Sequence, residues 1–137
     1  MQNLMSRMRA AMEKYNMIED GDRIAVGADL KDGYVAVKGW VEKTDLSCED
    51  FFLQMQNVGV KTVICTDISK DGAMMGTNLE LYRTLSQKFS MQIVASGGVS
   101  SLEDIRRLNE MGLYGAIIGK AYYTGAIDLR KAVEVVK

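Results

Sequence analysis

Two aspartates and a set of glycine-rich loops are the residues of this sequence whose types and spacing can do chemistry. Asp29 lies in the apolar run Ile24 to Leu30, and Asp71 stands just past a second run, Lys61 to Ile68. Two carboxylates at the ends of neighbouring strands divide acid and base work when their surroundings set their proton affinities apart. Aspartate is equally common in turns and at helix starts, so both readings stand for each residue. Asp67, within the strand end beside Thr66, reads as a partner for nearby backbone amides. The pair of loops Ser96-Gly97-Gly98-Val99 and Gly119-Lys120-Ala121 carries a second kind of chemistry. Glycines let backbone N–H groups approach an anion before a helix whose amino end carries partial positive charge. Tight turns use glycine as well, and in an anion loop the Lys120 ammonium is expected to stay solvated while backbone amides do the holding. Trp40, the only tryptophan, sits in a loop near Asp29, where it stacks on a heterocyclic base or packs into the core.

The elements that must position these residues follow from periodicity. Ile24 to Leu30, Lys61 to Ile68, Met91 to Ser96 and Tyr114 to Ile118 are apolar and β-branched without polar alternation, the pattern of strands buried on both faces. Each is followed by a polar or glycine loop and then by a helix. Ser47, with Asp50 at the capping-box position, starts a helix whose apolar face is Phe51, Phe52, Met55 and Val58, and Gly59 ends it. Asn78 caps a helix bearing Leu79, Tyr82, Leu85 and Phe89. Ser100 or Ser101 starts one with Ile105, Leu108 and Met111, and Asp128 opens a terminal helix carrying Leu129, Ala132, Val133 and Val136. After the first strand, Lys31-Asp32-Gly33 is a turn and Tyr34 to Val37 is extended, so a hairpin-like excursion caps that strand. Ahead of all this, Asn3 to Tyr15 reads as an amphipathic, methionine-rich helix, with residues 1–20 set apart from the four-unit body of residues 21–137.

Strands alternating with helices imply right-handed crossovers and a parallel sheet whose carboxyl ends form the crevice. Four units suit either a small doubly wound sheet or half of a (β/α)8 barrel; a whole barrel needs at least about 200 residues and the chain has 137. A lone parallel half exposes two sheet edges and an apolar face, so a complementary half-barrel or a homodimer is expected to cover them. A contact role for the methionine-rich helix has little support.

Composition bounds the rest. A net charge of -1 removes any global electrostatic argument for nucleic acid or an anionic membrane, and no apolar run approaches the roughly 18 residues a membrane helix needs. No signal-peptide core follows Met1, so a cytosolic location is expected. Cys48 and Cys65 read as reduced structural thiols, and with no histidine the common zinc spacings cannot be assembled. Proline is absent, and turns rest on 13 glycines with Asp, Asn and Ser.

Taken in order, Ala28-Asp29-Leu30-Lys31-Asp32-Gly33, Val37-Lys38-Gly39-Trp40, Thr66-Asp67-Ile68-Ser69-Lys70-Asp71-Gly72, Ala95-Ser96-Gly97-Gly98-Val99-Ser100 and Ile118-Gly119-Lys120-Ala121 resemble the phosphoribosylformimino-5-aminoimidazole carboxamide ribotide isomerase family of histidine biosynthesis. The similarity covers about Gly21 to Lys137 and corresponds to strands five to eight of a (β/α)8 barrel. The sister cyclase subunit of imidazole glycerol phosphate synthase shares the half-barrel and phosphate loops. Thr66-Asp67-Ile68, Gly119-Lys120-Ala121 and Lys38-Gly39-Trp40 look like the isomerase version.

The resemblance implies an Amadori rearrangement of a phosphorylated aminoaldose ribonucleotide, without metal or organic cofactor. By it, Asp29 matches the proton donor, Asp71 a second acid candidate and Thr66 a supporting hydroxyl. Gly72, Ser96, Gly97, Gly98, Gly119 and Lys120 fall in or beside the loops that hold one of the substrate's two phosphates, and Trp40 matches an aromatic that stacks on it. The family's proton acceptor and second phosphate grip belong to the first half of the barrel. The chain alone is therefore expected to bind a phosphate or sugar phosphate weakly without turnover; a noncatalytic phosphate-binding homodimer is the alternative.

Overall fold

Runs of Val, Ile and Thr favour extended backbone, and the computed structural model, which describes residues 10–37 and 39–137, places them side by side. The strands are β1 (Ala25–Lys31), β2 (Tyr34–Val37), β3 (Glu42–Ser47), β4 (Thr62–Asp67), β5 (Gln92–Ser96) and β6 (Gly115–Ala116). They form one sheet in the order β3-β2-β1-β4-β5-β6. β1, β4, β5 and β6 are parallel neighbours in chain order, while β2 and β3 join antiparallel as a hairpin beside β1. The helices are α1 (Cys48–Asn57), α2 (Leu79–Lys88), α3 (Leu102–Glu110), α4 (Lys120–Tyr123) and α5 (Leu129–Glu134).

One face of the sheet carries the core. Ala28, Leu30, Val63, Cys65, Ile93 and Ala95 are buried with Phe52, Tyr82, Leu85, Ile105, Leu108 and Ala132 from the helices. The strand registers put Ala28, Cys65 and Ala95 in one row and leave the alternate residues pointing the other way. Those alternate residues form two rows, Gly27-Ile64-Val94-Gly115 and Asp29-Thr66-Ser96, and the strand residues in them are half-buried or exposed. Burial on both faces is what the apolar runs predict; the structure corrects it to burial on one. A doubly wound sheet needs helices on both faces. With core and helices on one side and the sheet unclosed, the architecture is a partial (β/α) barrel.

The helix starts are chemical. Ser101 accepts from the Asp104 amide and Asp104 returns the bond to the Ser101 amide, a full capping box. At α1, Ser47 accepts from the Asp50 amide at 3.1 Å but gives its own hydroxyl to the Asp50 carboxylate at 2.6 Å, a side-chain closure of the same turn. Asn78 accepts from Leu81 N, and Asp128 from Arg130 N and Lys131 N. Gly59, at φ 86, follows the α1 C-cap Val58.

Several expectations are corrected. β3 is absent from the elements predicted, because Glu42-Lys43-Thr44-Asp45 is polar and carries little strand propensity; pairing with β2 makes it a strand. Tyr114 to Ile118 narrows to the two residues Gly115–Ala116 at the edge of the sheet, where pairing comes from one side only. Lys120 and Ala121 begin the short helix α4 rather than continuing a loop. On α5 only Ala132 is buried; Leu129, Val133 and Val136 line an open apolar groove with Ile105 and Leu108 of α3. Val58 is exposed instead of joining the α1 face. Residues 10–14 are helical, and the part of the amino-terminal helix expected over residues 3–9 lies outside the described residues, as does Lys38. Among the described residues no helix is long and apolar enough to cross a membrane.

Candidate anion cleft and carboxylate row

Asp29, Thr66 and Ser96 occupy matched positions on three adjacent parallel strands, in the registers Asp29↔Thr66 and Thr66↔Ser96. Neighbouring strands are about 4.8 Å apart, so the three side chains stand in one row on the uncovered face, near the strand carboxyl ends. Trp40, in the connection from β2 to β3, donates its indole N–H to Asp29 Oδ2 at 2.8 Å. The tryptophan is 40% exposed, which sets aside the core-packing reading.

Beside this row the strand ends enclose a small cleft of about 60 Å³. Asp71, Gly72, Ser96, Gly97, Gly98, Gly119 and Lys120 all line it, so seven of the residues singled out from the sequence converge on one place. Ser96 belongs to both the cleft and the row. Asp29, Thr66 and Trp40 do not line the cleft. Val99 and Ala121 of the same loops, with Met74 and Ile117, complete its walls.

The cleft offers N–H groups. Among the described residues, no protein acceptor takes the backbone amides of Gly98, Val99 or Gly119, although Val99 is buried. Buried backbone donors are nearly always paired, so unpaired amides beside a cleft mark a place for an acceptor. The amides of Ser100 and Ser101 are not available: Asp104 Oδ2 accepts both, at 3.0 and 3.1 Å. The α3 terminus is thus closed by its own carboxylate, and an anion would rest on the loop amides instead. Lys120 Nζ, expected in solvent, donates to the Gly72 carbonyl at 3.1 Å and ties the β4 loop to the β6 loop.

The glycines of the β5 loop have a tighter reason than anion access. A Cβ on Gly97 would meet the Asp67 carbonyl at 2.5 Å, and one on Gly98 would meet the Gly76 carbonyl at 2.5 Å and Lys70 Cβ at 2.8 Å. Both residues have positive φ, 91 and 77. At Gly119 no atom lies within 4 Å of an added Cβ, so packing does not call for glycine there.

Sequence reasoning passed over Tyr82 as a packing residue. Its hydroxyl, fully buried, lies 2.8 Å from the carbonyls of Cys65 and Ser96 and accepts from Ser96 N at 3.1 Å. Burial, and then Cys65 beside it, push that hydroxyl well above the ordinary tyrosine range. A hydrogen bond with Cys48, followed by burial, does the same to the Cys65 thiol, which keeps it protonated and inert.

A largely parallel, unclosed sheet with its core on one side, and a polar row and a glycine-lined cleft at its carboxyl ends, defines a partial (β/α) barrel. Comparison with known proteins is consistent with that class. The chain belongs to the histidine biosynthesis protein family, whose model matches residues 6–128. It is 48% identical over 122 residues to the 1-(5-phosphoribosyl)-5-((5-phosphoribosylamino)methylideneamino) imidazole-4-carboxamide isomerase of Thermoanaerobacter sp. (strain X514), covering 89% of this chain and 52% of that protein. Proteins of the same name from Bacillus anthracis (strain CDC 684 / NRRL 3495) and Bacillus cytotoxicus are 46% and 44% identical over 116 and 133 residues. These alignments cover 85% and 93% of this chain, and 48% and 56% of the relatives. The chain spans about half the length of the curated relatives it matches.

Proposed function

We propose that this chain supplies the second half of an isomerase of histidine biosynthesis, a cytosolic enzyme that converts a phosphorylated aminoaldose ribonucleotide to the aminoketose by Amadori rearrangement. The observation that carries the reading is the cleft between the β4, β5 and β6 strand ends, lined by Gly98, Val99 and Gly119, whose amides have no protein acceptor among the described residues. One phosphate of the substrate sits there on backbone N–H groups. Its ribose then extends toward Ser96 and along the row to Thr66 and Asp29.

In this reading Asp29 gives its proton to the ribose ring oxygen as the C1–O bond breaks, leaving an iminium; Asp71 is the second acid candidate. Removal of the C2 proton then yields the enol that becomes the ketose. The base for that second step comes from the other half of the barrel, as does the grip on the second phosphate. The names of the relatives and their roughly doubled length support this division. So does the face of the sheet opposite the core, where among the described residues Ile64 and Val94 are only half-buried and Ile117 is exposed.

The test is to assay isomerisation by the pure chain and again after adding a chain bearing the first half of a relative. Activity is expected only in the mixture, and Asp29→Asn in this chain abolishes it. Turnover by the chain alone, lost in Asp29→Asn or Asp71→Asn, would overturn the division of labour, and no activity at any ratio would overturn the isomerase reading.

A second reading rests on the sheet edges. Among the described residues β1 pairs with the hairpin only through Leu30 and Lys31, which leaves Ala25 to Asp29 as an edge, and β6 is the other edge of the sheet. Two copies can pair these edges and form a phosphate-binding homodimer without catalysis. A mass in solution of twice 15.2 kDa favours it.

A further inference from the structure

Asp67 is a buried carboxylate beneath the cleft with no part in the acid and base chemistry, and its partners belong to two different structural tasks. Oδ1 accepts from the amide and the hydroxyl of Ser69, at 2.9 and 2.6 Å, which starts the loop that carries Asp71 and Gly72. Oδ2 accepts from Asn78 Nδ2 at 2.6 Å, while Asn78 Oδ1 caps α2 through Leu81 N. The Asp67 carbonyl accepts from Lys70 N, and it is the atom against which Gly97 is packed. The far end of the loop is pinned to the same place, since Thr77 Oγ1 donates to the Gly97 carbonyl at 2.9 Å and the Gly76 carbonyl abuts Gly98.

We propose that the Asp67–Asn78 pair is the positioning unit of the cleft: it fixes where the Asp71 loop lies against Gly97 and Gly98, and so sets the geometry in which an anion is held. The polarity of the pair is dictated by its surroundings. Ser69 N is an obligate donor, and Asn78 cannot turn its amide round without giving up the cap on Leu81. Both oxygens of Asp67 must therefore accept. In Asp67→Asn, one donor faces another whichever way the new amide is turned, and a donor against the buried side chain is left without its acceptor. In the double variant Asp67→Asn/Asn78→Asp the pair is reversed. The introduced amide accepts from Ser69 through its oxygen and donates through its nitrogen to the introduced carboxylate, which still caps Leu81. The chain keeps its net charge.

The inference rests on the anion reading of the cleft for its functional half, so the test has two readouts. Hydrogen exchange of residues 69–76 in the full chain reports the loop whether or not anything binds. Inorganic phosphate titrated against the amide signals of Gly98, Val99 and Gly119 reports the cleft. Asp67→Asn is expected to speed loop exchange roughly tenfold or more, the change that matches one lost hydrogen bond to a charged group, and to weaken phosphate binding. The reversed pair restores both. Asn78→Ser, which keeps a cap but loses the donor to Asp67, is expected to fall between them and serves if Asp67→Asn does not fold. Unchanged loop exchange in the single variants, or a reversed pair no better than Asp67→Asn, overturns the proposal. If phosphate fails to bind the unmodified chain, the anion reading falls, while loop exchange still judges the pair. If exchange responds but the phosphate affinity of the folded variants does not, Asp67 is structural only and the positioning role is overturned.

Discussion

The indole N–H of Trp40 and the carboxylate of Asp29 are joined at 2.8 Å, across the hairpin that folds beside β1. The bond occupies one oxygen of the candidate acid and holds the only tryptophan of the chain at the end of the polar row. Tryptophan emission therefore reports the surroundings of this one indole. In Asp29→Ala the indole loses its acceptor, and the emission maximum and acrylamide quenching of Trp40 are expected to move toward those of a solvated indole. An emission spectrum identical to that of the unmodified chain would show that the bond is not made in solution.

Gly98 and Gly119 line the same cleft for different reasons, and alanine separates them. Gly98→Ala forces a Cβ onto the Gly76 carbonyl and Lys70 in a left-handed conformation, and is expected to cost about 2 kcal/mol or more of stability. Gly119→Ala meets open space, so it should cost less stability than Gly98→Ala while the added methyl crowds an anion in the cleft. Urea unfolding and phosphate titration of both variants check the pair of outcomes.

Tyr82 ties β4 to β5 from the helix layer. Tyr82→Phe strips the carbonyls of Cys65 and Ser96 and the amide of Ser96 of their common partner, and is expected to cost about 1–3 kcal/mol. The same burial makes stability depend on pH. The unfolded chain releases the tyrosine proton near its ordinary value of 10, while the folded chain holds it, so above that value the folded state binds more protons. Stability should then fall as pH rises through 10, with Cys65 adding to the decline from its ordinary 9.0 upward. Urea midpoints on either side of pH 10 measure the slope, and Tyr82→Phe should make it shallower.

Ser101 and Asp104 close α3 by satisfying each other's amides, and Asp104 also takes the amide of Ser100. Ser101→Ala should cost about 1 kcal/mol, and Asp104→Ala more, because it frees three donors at once. Asp104→Ala also opens the α3 amides to solution, so phosphate affinity should hold or rise as stability drops. Thermal unfolding with and without phosphate separates the two effects.

Much of this protein is legible along the chain. Local chemistry marks Ser47, Asn78, Ser101 and Asp128 as helix starts, because a cap is a bond between residues two or three apart. The apolar runs mark the parallel strands, and their order places Asp29, Asp71 and the glycine loops at one end of the sheet. What the runs cannot say is how many faces are covered. Ile64 and Cys65 are equally apolar in sequence, yet one is only half-buried and the other lies in the core, since that difference depends on which side the crossovers pack. β3 escapes notice for a related reason: its polar residues become a strand only by pairing with β2.

At the cleft the division is sharper. Sequence alone determined that Asp71, Gly72, Ser96, Gly97, Gly98, Gly119 and Lys120 stand at or just past the ends of parallel strands, because chain order and handed crossovers bring such ends together. Only the tertiary structure decided what each does there. Gly97 and Gly98 are required by carbonyls from another loop, Asp104 claims the helix amides that an anion was expected to use, and Asp67 is bonded to residues two and eleven positions away. These roles rest on distances between segments, and distance between segments is a property of the folded chain.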